Sequence, residues 1–219
     1  MNNLIKICGL STPETLAAAL DAGADMVGFV RFPKSPRHVT LDLGHRLSLQ
    51  AKGRARRVVL LVDPGNEEIA QAVEAINPDL IQLHGRETPQ RVAEIRSMVN
   101  RPVMKALGIA EKSDLDTLAP YAKTSEHILL DAKPPLTAEA LPGGNGLPFD
   151  WKLLNGLDPA LPIMLSGGLN PDNVAEAIRL TRPRAVDVSS GVESGPGLKD
   201  SRKIKAFVEA ARAAFAAQH

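Results

Sequence analysis

Ile76-Asn77-Pro78-Asp79-Leu80-Ile81-Gln82-Leu83-His84-Gly85-Arg86-Glu87-Thr88-Pro89 carries one full round of the grammar that decides the fold. An amphipathic run ends at Ile76, and the turn Asn77-Pro78-Asp79 follows it. Residues 80–83 then form a short apolar run, the pattern of a strand buried on both faces of a parallel sheet. His84-Gly85 leaves that strand. Thr88-Pro89 sets a capping hydroxyl before a proline at the first helical position.

The same order recurs in both directions along the chain. Short runs rich in Val, Ile and Leu stand at 4–8, 26–30, 57–62, 80–83, 103–106, 127–130, 163–165 and 185–188, which makes eight. Helical patterns lie between them, at 13–22, 67–76, 89–99, 171–180 and 201–217. Thr12-Pro13 and Asn170-Pro171 repeat the cap. Ala22-Gly23-Ala24-Asp25 and Thr181-Arg182-Pro183-Arg184 repeat the turn into a strand. The spacing is about 25 to 30 residues, the length of one strand–helix unit. Eight units predict an α/β protein, a single-domain (β/α)8 TIM barrel over residues 1–219. An open doubly wound sheet shares the alternation, and the count of eight favours the barrel. Residues 132–149 are irregular, with Pro134-Pro135 and Pro142-Gly143-Gly144-Asn145-Gly146. A long loop directly after a strand reads as a lid on the catalytic face.

Composition narrows the partners. The 219 residues carry a net charge of +1 and only 3% aromatics, so neither a polyanion-coating surface nor stacking platforms for single strands are expected, and no nucleic-acid partner. Any anion must be held locally. The single cysteine, Cys8, excludes an internal disulfide and a cysteine-rich metal site. Histidines 38, 45, 84, 127 and 219 show no paired ligand spacing, so metal catalysis is disfavoured. No signal peptide and no apolar run long enough for a membrane are read, so the expected location is cytoplasmic. The expected state is a monomer.

A barrel directs the C-terminal ends of its strands into one mouth. Those ends read Cys8-Gly9, then Arg31-Phe32-Pro33-Lys34-Ser35-Pro36-Arg37, Asp63, His84-Gly85, Lys105, Asp131-Ala132-Lys133, Ser166-Gly167-Gly168 and Ser189-Ser190-Gly191. Gly167 and Gly168 leave amides open to an anion. Ser189, Ser190 and Gly191 read the same way ahead of a short helix, on the two strands whose loops usually hold phosphate. The alternative is a pair of tight turns. Cys8 and Asp131 stand on strands roughly across the mouth from each other. They suit a thiolate base and a carboxylic acid, or else a small buried hydrophobe and a turn residue. A thiol of ordinary pKa, about 8.5, would reach its thiolate form at cytoplasmic pH. His84 is a hydrogen-bonding or catalytic group. Arg37 is either a fork for a carboxylate or phosphate or a solvated loop residue.

Lys6-Ile7-Cys8-Gly9, Gly28-Phe29-Val30, Pro33-Lys34-Ser35-Pro36-Arg37, Gln82-Leu83-His84-Gly85, Leu130-Asp131-Ala132-Lys133, Phe149-Asp150-Trp151, the run from Leu165 to Val174 and the run from Val186 to Glu193 together resemble the phosphoribosylanthranilate isomerase family. They follow the family's order along the whole chain. The resemblance implies a cofactor-independent Amadori rearrangement of a small-molecule phosphoribosyl substrate in tryptophan biosynthesis. It implies Asp131 as general acid and Cys8 as general base. It implies that Arg37 holds the anthranilate carboxylate and that Gly167, Gly168, Ser189, Ser190 and Gly191 bind phosphate, with His84 beside the substrate. Two features depart from the family: Arg31-Phe32 after the second strand, and the sequence Gly143-Gly144-Asn145-Gly146-Leu147-Pro148-Phe149 of the lid. Competing readings are a related phosphosugar barrel enzyme and a non-catalytic phosphate-ligand barrel. The pairing of Cys8 with Asp131 disfavours both.

Overall fold

The computed structural model describes residues 3–133, 143 and 149–218. Eight parallel strands close into a barrel in chain order. They are β1 (Leu4–Cys8), β2 (Met26–Val30), β3 (Arg56–Leu61), β4 (Leu80–Leu83), β5 (Val103–Ile109), β6 (His127–Ala132), β7 (Ile163–Leu165) and β8 (Ala185–Val188). Helices α1 (Pro13–Asp21), α2 (Leu41–Ala51), α3 (Asn66–Ile76), α4 (Pro89–Val99), α5 (Leu118–Ala122), α6 (Val174–Thr181) and α7 (Ser201–Ala216) surround it. A two-stranded hairpin, β9 (Glu193–Gly195) with β10 (Leu198–Lys199), follows β8. Among the described residues, a 3-10 turn at Trp151–Leu154 occupies the helix position between β6 and β7. No described helix is long and apolar enough to cross a membrane.

Thr12 and Thr88 cap as expected, each hydroxyl accepting a backbone N–H of the first turn. Asn170-Pro171 does not open its helix. The Asn170 side chain accepts from the backbone of Asp172 and Asn173, which makes a turn, and α6 begins only at Val174. Strands β5 and β6 run past the expected ends at 106 and 130 because they pair with each other as far as Ile109 and Ala132. Residues 134–142 and 144–148 of the expected lid lie outside the described residues.

Period-two alternation sorts the strand residues into two cores. Ile5, Ile7, Val27, Phe29, Val59 and Leu61 face outward and pack with the helices. Met26, Val58, Leu80, Met104, Leu129, Met164 and Ala185 fill the barrel interior at its foot. Cys8, Val30 and Leu60 form a small apolar group nearer the mouth. Lys6, Gln82 and Asp187, all buried, share the inward parity on their strands. The interior is therefore apolar at the foot and polar above it, and this gradient positions the site.

Candidate active site

The mouth holds a cavity lined by Cys8, Arg37, His84, Asp131, Gly167, Gly168, Ser189 and Ser190 together with Ser35, Gln82, Ser166 and Asp187. Eight of the nine expected site residues therefore meet in one place. Gly191 stands just outside the lining, where a methyl group would sit on the Leu169 carbonyl. Its missing side chain lets the loop after β8 pack on the loop after β7. Three expected rim residues point elsewhere. Asp63, at positive φ, accepts from the Arg86 amide at 2.5 Å and braces the loop after β4. Lys105 has the outward parity of its strand and pairs with Glu87 at 2.9 Å. Lys133 pairs with Asp114 at 2.5 Å.

The two glycine-bearing loops differ in construction. Gly167 has φ +78°, and a side chain there would press on the Ala132 amide at 2.8 Å and on Asp131 Oδ1 at 3.2 Å. Only glycine fits this position beside the carboxylate. After β8 no helix follows directly. A three-residue 3-10 turn, Ser190–Val192, leads into the β9–β10 hairpin, so no helix dipole supports this loop. A buried side chain supports it instead. Lys199 Nζ donates to Ser189 O at 2.8 Å, to Ser189 Oγ at 3.2 Å and to Glu193 Oε1 at 2.7 Å.

Arg37 is not a solvated loop residue, being only 5% exposed. Nε and Nη2 donate to the two oxygens of Glu193 at 2.7 and 2.9 Å, a fork-to-fork pair that fixes the guanidinium plane. Burial would lift the Glu193 carboxyl. The Arg37 hydrogen bonds and the Lys199 ammonium override it and hold the carboxyl below its ordinary value. Arg31 turns back on its own loop, donating to Val39 O at 2.7 Å and meeting His38 at 3.3 Å.

Asp131 stands one residue before the end of β6, with Oδ1 accepting from the Ala132 amide at 2.9 Å and Oδ2 at 3.5 Å from His84 Nε2. The other ring nitrogen, Nδ1, meets Gln82 Nε2 at 3.1 Å. Gln82 Oε1 is buried and has no partner among the described residues. Gly143 comes close over this pair, where a side chain would strike both His84 Nε2 and Asp131 Oδ2.

Cys8 is buried, with Lys6 two residues earlier on the same inward face. The register sets Lys6 opposite Asp187 and Cys8 opposite Gly28. Lys6 Nζ binds Asp187 Oδ1 at 2.7 Å, and Asp187 Oδ2 lies 3.3 Å from Ser166 Oγ. Burial pushes the Cys8 thiol above its ordinary value. Lys6 and Lys199 oppose that shift and Asp187 reinforces it.

Lys6, Gln82, Asp187, Glu193 and Lys199 carry much of this electrostatics, and motif reading passed over them as site residues. The signal for two of them was a charge inside an apolar strand: Lys6 in Leu4-Ile5-Lys6-Ile7-Cys8 and Asp187 in Ala185-Val186-Asp187-Val188. Each stands two positions before a candidate site residue and so shares its face.

A family model described as N-(5'phosphoribosyl)anthranilate (PRA) isomerase matches residues 5–210. A protein from Azorhizobium caulinodans named N-(5'-phosphoribosyl)anthranilate isomerase is 58% identical over 213 residues, covering 97% of this chain and 93% of its own. The fold superposes with a TM-score of 0.84 on crystallised monomers of the dimeric Thermotoga maritima phosphoribosylanthranilate isomerase, at 35% identity over 97% of this chain and 100% of that one. It also superposes at 0.84 on a phosphoribosyl anthranilate isomerase in complex with reduced 1-(o-carboxyphenylamino)-1-deoxyribulose 5-phosphate, at 34% identity over 97% and 100%.

Proposed function

The chain belongs to the N-(5'-phosphoribosyl)anthranilate isomerase family, and from that membership we propose that Cys8 is the general base and Asp131 the general acid of its reaction. The enzyme isomerises N-(5-phosphoribosyl)anthranilate to 1-(2-carboxyphenylamino)-1-deoxyribulose 5-phosphate in tryptophan biosynthesis. Asp131 gives its proton to the furanose ring oxygen as the C1–O bond breaks. The anilino nitrogen supplies the electron pair that forms the C1=N bond. Cys8, as thiolate, takes the proton from C2, and the resulting enaminol ketonises to the product. Arg37 holds the anthranilate carboxylate. The amides at Gly167 and Gly168 and the loop Ser189-Ser190-Gly191 hold the phosphate, and His84 flanks the acid. The observation that carries this reading is that Cys8, Asp131, Arg37 and both glycine-bearing loops line one cavity.

The test is growth. Expressed in a tryptophan auxotroph lacking this isomerase, the chain restores growth, and Cys8→Ser and Asp131→Asn do not. Growth supported equally by both variants sinks the assignment.

We read residues 1–219 as one domain and the protein as a cytoplasmic monomer. Among the described residues the large exposed apolar side chains, Leu49, Met98, Leu180 and Leu198, sit on four different elements, which supports the monomer. Sedimentation at micromolar concentration checks it, and a dimer mass overturns it. A thiolate base suits a reducing compartment.

A further inference from the structure

Lys6 is a fully buried cation in the barrel interior, above its apolar foot. A lysine is almost never fully buried unless it is paired. Asp187 supplies the pairing at 2.7 Å. One strand carries both Lys6 and Cys8 on its inward face, two residues apart. On the neighbouring strand the space is kept open by Gly28. A methyl group there would come within 2.9 Å of Cys8 Sγ and 3.3 Å of Lys6 Nζ. The sulphur and the ammonium thus both border the space that Gly28 leaves, and Asp187 fixes the ammonium there.

We infer that Lys6, anchored by Asp187, is the positioning residue for Cys8: its ammonium holds the sulphur and stabilises the thiolate that takes the C2 proton. The inference rests on the reading of Cys8 as base. Burial pulls the Lys6 ammonium down, but Asp187 and Cys8 more than restore it, so it stays charged across the working range. The charged groups acting on Cys8 are Lys6 from β1, Asp187 from β8 and Lys199 from β10. β2 contributes only Gly28. Lys6 is the strongest of the three, and it works against burial.

Cys8 is the only cysteine of the chain, so alkylation reads this one sulphur without any dependence on turnover. The pH dependence of iodoacetamide alkylation is measured for the wild-type enzyme, for Lys6→Met and for the neutral pair Lys6→Met/Asp187→Asn. The double variant covers the case in which Lys6→Met misfolds by stranding the Asp187 carboxylate. The expected result is a midpoint raised by about one pH unit or more in a folded variant, a roughly tenfold slower alkylation below it. The acid limb of kcat should move by the same amount while KM changes little. An unmoved alkylation midpoint overturns the role of Lys6, whatever happens to turnover. A raised alkylation midpoint with an unmoved kcat profile upholds the role of Lys6 toward the sulphur and removes Cys8 as the base.

Discussion

Arg37 and Glu193 form a buried two-pronged ion pair at the barrel mouth, with donor–acceptor distances of 2.7 and 2.9 Å. The pair joins the loop after β2 to the hairpin after β8. Lys199 binds the same carboxylate and also holds Ser189, so one acid links the arginine to the proposed phosphate loop.

Arg37→Ala should weaken binding of a reduced product analogue by about ten- to a hundredfold, the loss of one charge-assisted contact. Arg37→Lys should recover little, because an ammonium cannot reproduce the planar fork. Glu193→Gln should weaken the analogue less than Arg37→Ala, since the guanidinium stays but loses its anchor. Calorimetric titration decides it. An unchanged affinity for Arg37→Ala would remove Arg37 from the ligand site.

The same glutamate makes a pH prediction. Its folded-state carboxyl stands below its ordinary value, since Arg37 and Lys199 outweigh burial. The unfolded value is about 4.3. Glu193 therefore contributes stability at pH above about 4.3 and loses it as pH falls through the folded value. Melting temperatures of the wild type and Glu193→Gln should differ most near neutrality and converge on acidification below about pH 4. A gap that stays constant down to acid pH would show that the ion pair is energetically neutral.

Cys8→Ser should keep the fold and lower kcat by about 10²- to 10⁴-fold, because a hydroxyl is far too weak a base. Since burial raises the thiol in the free enzyme, the acid limb of kcat/KM should lie above the ordinary thiol value of about 8.5. Near-wild-type turnover by the serine variant would show that the base lies elsewhere.

Sulfate or inorganic phosphate should bind between Ser166–Gly168 and Ser189–Ser190 and compete with substrate. The loop after β8 has no helix behind it, so its hold should depend on the Lys199 support of Ser189. Lys199→Met should therefore raise the inhibition constant for sulfate. Inhibition unchanged by this variant would mean that the lysine serves Glu193 alone.

Much of this site was legible because a barrel turns chain order into a ring. Once eight strands are counted, Cys8, His84, Asp131, Gly167 and Ser189 fall at strand ends and must face one mouth. Direction was less legible than position. Lys105 stands near the expected end of its strand, but the strand runs on to Ile109, and the side chain has the outward parity and binds Glu87 behind the sheet. The Arg37–Glu193 pair spans 156 positions and follows from no local spacing. Asn170-Pro171 has the composition of a helix start, yet an Asn side chain followed by proline also closes a turn, and here the turn wins.

Asp131→Asn should be inactive yet bind product analogues nearly as tightly as the wild type. The ring oxygen leaves poorly unless it is protonated as the C1–O bond breaks, and an amide of almost the same shape has no acidic proton to give. The change removes a contact made in the transition state and spares those of the ground state, so kcat should fall while affinity holds. The neighbours make the prediction sharper. His84 Nε2 lies 3.5 Å from Asp131 Oδ2, and its Nδ1 lies 3.1 Å from the Gln82 amide. An Nδ1 that accepts from Gln82 leaves the proton on Nε2, facing the carboxylate. The opposite amide orientation puts the proton on Nδ1, gives the unpartnered Gln82 Oε1 a donor, and lets Nε2 accept from a protonated Asp131. His84→Asn should therefore lower kcat less than Asp131→Asn does, and should change the alkaline limb of the kcat profile. If Asp131→Asn keeps kcat within a few-fold, the acid is elsewhere and His84 is the next group to replace. If analogue affinity collapses together with kcat, Asp131 binds or folds, and the acid role falls.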